Sequence, residues 1–207
     1  MSSNTALVIG KESFIGAKLV EKLSLNGRDV VTFVADSTKS VRVIPWNRSG
    51  FISTITSLRE LQRVYGFPSD VFIVFGRKRE EVFPQESASL IDEVLDYDLK
   101  ALVYLTQELY KRALEQNKEM AIYFVAENLE DNKRPLGNAA AEGFRAYART
   151  LMSSGPQIYL SGCELVGNDE EGFVDYIIKM ASERSEKRAN AWLVYPKPSF
   201  FGLGSKR

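Results

Sequence analysis

Short apolar runs alternate with amphipathic stretches along almost the whole chain, and this alternation constrains the fold more than any other feature. Ala6 to Ile9, Val30 to Ala35, Val41 to Pro45, Val71 to Phe75, Met120 to Ala126, Gln157 to Ser161 and Ala191 to Tyr195 are short and apolar enough to be buried strands. Between the first two, Phe14 to Leu25 carries Ile15, Leu19, Val20 and Leu23 on a helical stripe that stops at Asn26-Gly27. Ser57 to Tyr65 reads as a shorter helix, and Ser87 to Gln116 as a long helical region bent or broken at Asp96 to Asp98. Asn138 to Ser153 and Phe173 to Ala181 complete the helices. Strand and helix in this order build a parallel sheet covered on both faces, so the fold class is α/β. The expected architecture is a single doubly wound domain over residues 1–195, with a mostly parallel sheet of about seven strands and an extended tail at 196–207.

Composition narrows what such a domain can do. The 207 residues include 27 Lys plus Arg and 27 Asp plus Glu, so no global field gathers nucleic acid or an anionic membrane. Histidine is absent, which removes the commonest general base, the Ser/His and Cys/His pairs and the usual zinc ligands. No metal site is expected. The lone Cys163 cannot form an intrachain disulfide and reads as a small buried packing residue. No apolar run spans a bilayer and no signal-peptide pattern opens the chain, so a cytoplasmic protein is the expectation.

The chemistry of interest is concentrated after the first strand. Ile9-Gly10-Lys11-Glu12-Ser13-Phe14-Ile15-Gly16 leads from strand into helix, the context in which a glycine-spaced turn sets a pyrophosphate on a helix N-terminus. Gly10 suits the tight turn, and Gly16 lets the helix sit close to the sheet. Asp36 ends the second strand twenty residues after Gly16, where a carboxylate accepts hydrogen bonds from an adenosine ribose and disfavours a 2′-phosphate. Each feature also has a structural reading: a retained turn for the glycines and a strand-end cap for Asp36.

In the order of its elements from Asn4 to Tyr195, the chain resembles the short-chain dehydrogenase/reductase family, a Rossmann-type fold. Asn47 stands where that family has an aspartate beside the adenine, and Gly76 closes a strand similar to the one ending Asn-Asn-Ala-Gly. Asp98 to Ala101 resembles its asparagine-bearing helix motif, and Tyr147 to Leu151 the end of its active-site helix. The resemblance implies NAD as cofactor, with Gly10, Ser13, Phe14, Ile15, Gly16, Asp36, Asn47 and Gly76 as its binding residues. It also implies a homo-oligomer joined through the helices at Leu99 to Gln116 and Asn138 to Ser153. Val103, Gln107, Tyr110 and Leu114 form a less polar second face there, open to burial or to a subunit interface.

Departures from the family pattern are sharper than the matches. No tyrosine is followed four positions later by lysine, and the aligned pair falls on Asn138 and Glu142 or on Gly137 and Ala141. The family's serine falls near Ala126 or Glu127, its asparagine on Asp98, and its middle loop glycine on Phe14. Tyr104 and Lys111 reproduce an enoyl-reductase spacing, but on the helix before the fifth strand, where two residues seven apart share a face by geometry alone. Ser161 to Glu164 is placed after the sixth strand, and few residues remain before the last helix to form a substrate lid.

The leading expectation is therefore a catalytically degenerate protein with a binding, regulatory or assembly role and weak NAD(P) binding. A second is a divergent NAD(P)-dependent oxidoreductase whose proton donor has moved to Tyr104, Tyr123 or Tyr147. A third is a nucleotide-free scaffold for a protein partner, using Phe14 or the Phe200-Phe201 tail.

Overall fold

The computed structural model describes residues 4–35, 42–76, 87–127 and 135–196. Asp36 and the tail beyond Pro196 lie outside the described residues. The elements follow the order β1 (Thr5–Ile9), α1 (Phe14–Leu25), β2 (Asp29–Val34), β3 (Val43–Pro45), α2 (Phe51–Tyr65), β4 (Asp70–Phe75) and α3 (Ala88–Val94). A π-helical segment, Leu95–Lys100, then joins α3 to α4 (Ala101–Glu115), followed by β5 (Ala121–Ala126), α5 (Pro135–Ser153), β6 (Tyr159–Leu165), α6 (Glu170–Glu183) and β7 (Trp192–Tyr195).

All seven strands form one sheet in the order β3-β2-β1-β4-β5-β6-β7. Every pairing is parallel. The alternation of side chains along a strand divides the core in two. Leu7 and Ile9 of β1 join Leu58, Leu102, Leu105, Leu109 and Phe144 beneath α2, α4 and α5. Ala6 and Val8 join Leu19, Phe173 and Ile177 beneath α1 and α6 on the other face. This is the doubly wound α/β domain expected from the sequence, and the sheet is entirely parallel.

Boundaries differ from expectation where local chemistry overrides periodicity. A Ser13 cap, its hydroxyl accepting from the Gly16 N–H at 3.0 Å, starts α1 at Phe14 as expected. The long helical region does change character at Asp96 to Asp98, through the π-helical segment rather than a break. α2 begins at Phe51 instead of Ser57, because Gly50 serves as its cap. The sixth strand corrects the expected Gln157 to Ser161: it runs from Tyr159 to Leu165, so Ser161 to Glu164 lies inside it. Gly162 permits this register, since a Cβ there would sit 2.3 Å from the Trp192 ring of β7.

At the amino edge of the sheet, Asp70 is 1% exposed and gathers two guanidinium groups. Arg28, from the α1–β2 connection, meets its Oδ2, and Arg184, the residue closing α6, meets its Oδ1 at 2.8 Å. The Ser69 hydroxyl donates to the same carboxylate at 2.9 Å. Removing a buried ion-pair partner leaves the remaining charges uncompensated. Asp70→Ala is therefore expected to lower the unfolding free energy by about 2–4 kcal/mol in urea denaturation, and a loss below about half a kcal/mol would show that the clamp is incidental.

Candidate functional site

Strand order reverses direction between β1 and β4, and in open α/β sheets ligands enter the crevice at such a point, beyond the carboxyl ends of the strands. Gly10 leaves β1 there with φ +88°, and a Cβ on it would lie 2.4 Å from the Val74 carbonyl oxygen. A Cβ on Gly16 would lie 2.1 Å from the carbonyl oxygen of Gly10. Both glycines thus have steric reasons to be glycine, and together they hold α1 against the strand end. Asn47 builds the neighbouring turn: its amide oxygen accepts from the N–H and hydroxyl of Ser49, and its own N–H donates to Ser53 Oγ.

The pairing of β4 with β5 sets Phe75 beside Ala126, which brings Gly76 beside Glu127. The Glu127 N–H donates to the Phe75 carbonyl at 3.1 Å, and its carboxylate reaches across the strand ends to α1. There Oε1 accepts from the Ile15 N–H at 3.2 Å. A Cβ on Gly76 would come within 2.6 Å of Glu127 Oε2 and 2.8 Å of Ser13 Cβ, so Gly76 leaves room for both side chains. On the other flank Arg48, stacked 5.3 Å from the Trp46 ring, forms a 2.7 Å ion pair with Glu12 across the loop mouths.

Two anion-seeking N–H groups of α1 are consequently engaged within the chain: Gly16 by Ser13 and Ile15 by Glu127. Phe14, in place of the middle loop glycine, is 46% exposed, with Lys18 Nζ 5.9 Å from its ring centroid. The pocket bounded by Gly10, Glu12, Ser13, Arg48, Gly76 and Asp98 encloses about 10 Å³ among the described residues, room for about one water. In this arrangement the helix terminus does not fit a dinucleotide diphosphate, because the Ile15 and Gly16 N–H groups are already taken by a carboxylate and a hydroxyl of the chain. An open depression of about 870 Å³ lies at the opposite edge, around Arg28, Asp70 and Arg184.

The three tyrosines of the relocated-donor expectation point elsewhere. Tyr104 packs edge-on against Phe51 of α2 at 5.2 Å. Tyr123 is fully buried in β5 and stacks on Phe72, with its phenol pushed upward by burial and by Asp70. Tyr147 faces Thr106 of α4, its phenol raised by desolvation. None of the nine tyrosines belongs to the described lining of the crevice. On α5, Gly137 and Ala141 are buried, and a Cβ on Gly143 would lie 3.0 Å from Leu99 of the π-helical segment. β6 and α6 are joined by Val166, Gly167, Asn168 and Asp169 alone, a connection too short for a helical lid.

Glu127 is the residue of this edge that sequence reasoning misplaces, since there it stands only as a substitute for serine. The signal is the adjacency of two strand ends, one closing in glycine and the other in an acid. Among the described residues no group of three potential ligands could hold a metal, and no helix is long and apolar enough to cross a membrane.

No protein-family model and no curated protein matches the chain, whereas its structure is similar to solved short-chain dehydrogenases. One, from Leptospira borgpetersenii serovar Hardjo-bovis with bound NAD+, is 14% identical with a TM-score of 0.77, over 94% of this chain and 91% of that one. Another, from Bacillus anthracis, is 12% identical with a TM-score of 0.73, over 92% and 93% of the two chains. A 4-hydroxyisoleucine dehydrogenase complexed with NADH and succinate is 15% identical with a TM-score of 0.74, over 91% and 96%. At these identities the likeness shows a shared fold.

Cys163 gives a direct check on this description of β6. It is fully buried in mid-strand, and burial together with Glu164 pushes its thiol upward. Native protein is expected to resist a disulfide-exchange reagent at pH 8, with one thiol per chain appearing on denaturation. Rapid labelling of the folded protein would contradict the strand register.

Proposed function

We propose that the chain is a catalytically degenerate protein on the short-chain dehydrogenase scaffold, with a binding, regulatory or assembly role and only weak affinity for NAD. The observation that carries this reading is the chemistry of α5, the helix after the fifth strand. In either alignment register, Asn138 with Glu142 or Gly137 with Ala141, it offers no phenol beside an ammonium group. Carbonyl reduction needs a proton donor poised near neutral pH, and neither an amide, an alkyl group nor the exposed Glu142 carboxylate, ion-paired with Arg145, supplies one. The four-residue β6–α6 connection adds support, since a site that cannot close retains the water that competes with hydride chemistry.

Purified protein is expected to show no NADH or NADPH oxidation above background against a panel of aldehydes and ketones. Robust turnover that disappears in Asp36→Ala would sink the reading, because it would require a working ribose site and an unrecognised donor.

The assembly role takes the form of a homo-oligomer joined through α4 and α5. Its support is the outer face of α4, where Leu114 is 40% exposed and Val103 and Tyr110 are half-buried. Light scattering at micromolar concentration is expected to give a multiple of the 23.3 kDa chain mass, returning to that mass in Leu114→Glu. A monomeric wild-type protein would remove this part of the proposal.

A further inference from the structure

We infer that Glu127 is a built-in occupant of the phosphate seat, the residue that holds the affinity of this crevice for dinucleotides down. The inference rests on the degenerate reading and adds a cause to it. Three observations meet at one point. The Ile15 N–H, second in α1, is oriented where a helix N-terminus favours an anion, and Glu127 Oε1 accepts from it at 3.2 Å. Gly76 has the empty Cβ position that lets Oε2 settle over the end of β4. The space left among the surrounding described residues is about 10 Å³.

A diphosphate arriving at α1 faces two obstacles from the same side chain. It must displace a hydrogen-bonded carboxylate, and it must do so against a like charge a few ångströms away in a partly desolvated crevice. Phe14 adds bulk beside this position but carries no charge, so it does not discriminate phosphates from uncharged ligands. Glu127 does. The carboxylate is therefore a specificity element: it excludes phosphorylated ligands while leaving an uncharged nucleoside unaffected.

The test is calorimetric titration of the full chain with NAD+, inorganic pyrophosphate and adenosine, in wild type, Glu127→Ala, Glu127→Gln and Phe14→Gly. Circular dichroism confirms that each variant is folded, and Glu127→Gln, which keeps the size and an acceptor oxygen, guards against loss of the fold in the alanine variant. Wild type is expected to bind NAD+ only in the millimolar range. Glu127→Ala should tighten NAD+ and pyrophosphate at least ten-fold with no change for adenosine, and Glu127→Gln should give a smaller gain in the same direction. The inference is overturned if wild type binds NAD+ as tightly as Glu127→Ala, if adenosine gains equally, or if Phe14→Gly alone restores binding with Glu127 intact. Tight wild-type binding without turnover removes this inference, together with the weak affinity for NAD, and leaves the loss of catalysis standing, whereas wild-type turnover removes the degenerate reading itself.

Discussion

The close passage of the β1–α1 turn over the end of β4 is the constraint from which the carboxyl edge of the molecule follows. Neither Gly10 nor Gly16 has room for a Cβ, one against the Val74 carbonyl and the other against Gly10 itself. That proximity sets the N-terminus of α1 directly above the central strands. It also brings the α1 donors within reach of whatever residue ends β5. A looser turn would leave the helix end facing solvent, where water would satisfy its N–H groups. In this chain the tight turn is preserved and the oxygen that meets it belongs to Glu127.

The two edges of the sheet use carboxylates in opposite ways. At the amino edge, buried Asp70 is surrounded by guanidinium groups from two separate connections, so its charge organises the chain around it. At the carboxyl edge, Glu127 faces a helix terminus that carries only partial charge. Two arginines fix Asp70 as part of the fold. Glu127 is half-buried and accepts from the Ile15 N–H of that terminus, a donor for which an incoming anion would compete.

The layered architecture is legible in the sequence because apolar periodicity reports which surfaces must leave water. The seven strands, the α1 stripe and the change of helical character at Asp96 to Asp98 all follow from that pattern. The errors lie where a single contact outweighs periodicity. Gly162 and Cys163 look like a strand end, yet the Trp192 ring lies against Gly162 and the strand continues to Leu165. Gly10, Ser13, Phe14, Ile15, Gly16, Asn47 and Gly76 stand out as candidates from the sequence, and all lie at or beside the carboxyl edge. What a single sequence does not show is that Ile15 and Glu127, 112 positions apart, share a hydrogen bond. Long-range partners of this kind depend on strand register, which local patterns do not encode.

The tryptophans give the sheet an uneven optical signature. Trp46, bonded to Thr54 and tilted on Phe33, follows β3 at one flank, while Trp192 opens β7 at the other, bonded to Glu164 and overlain by Arg149. The chain has no third tryptophan, so indole emission is silent about β1, β4 and β5. Fraying of the outer strands and loss of the central crevice are therefore spectroscopically separable events, and fluorescence would follow only the first.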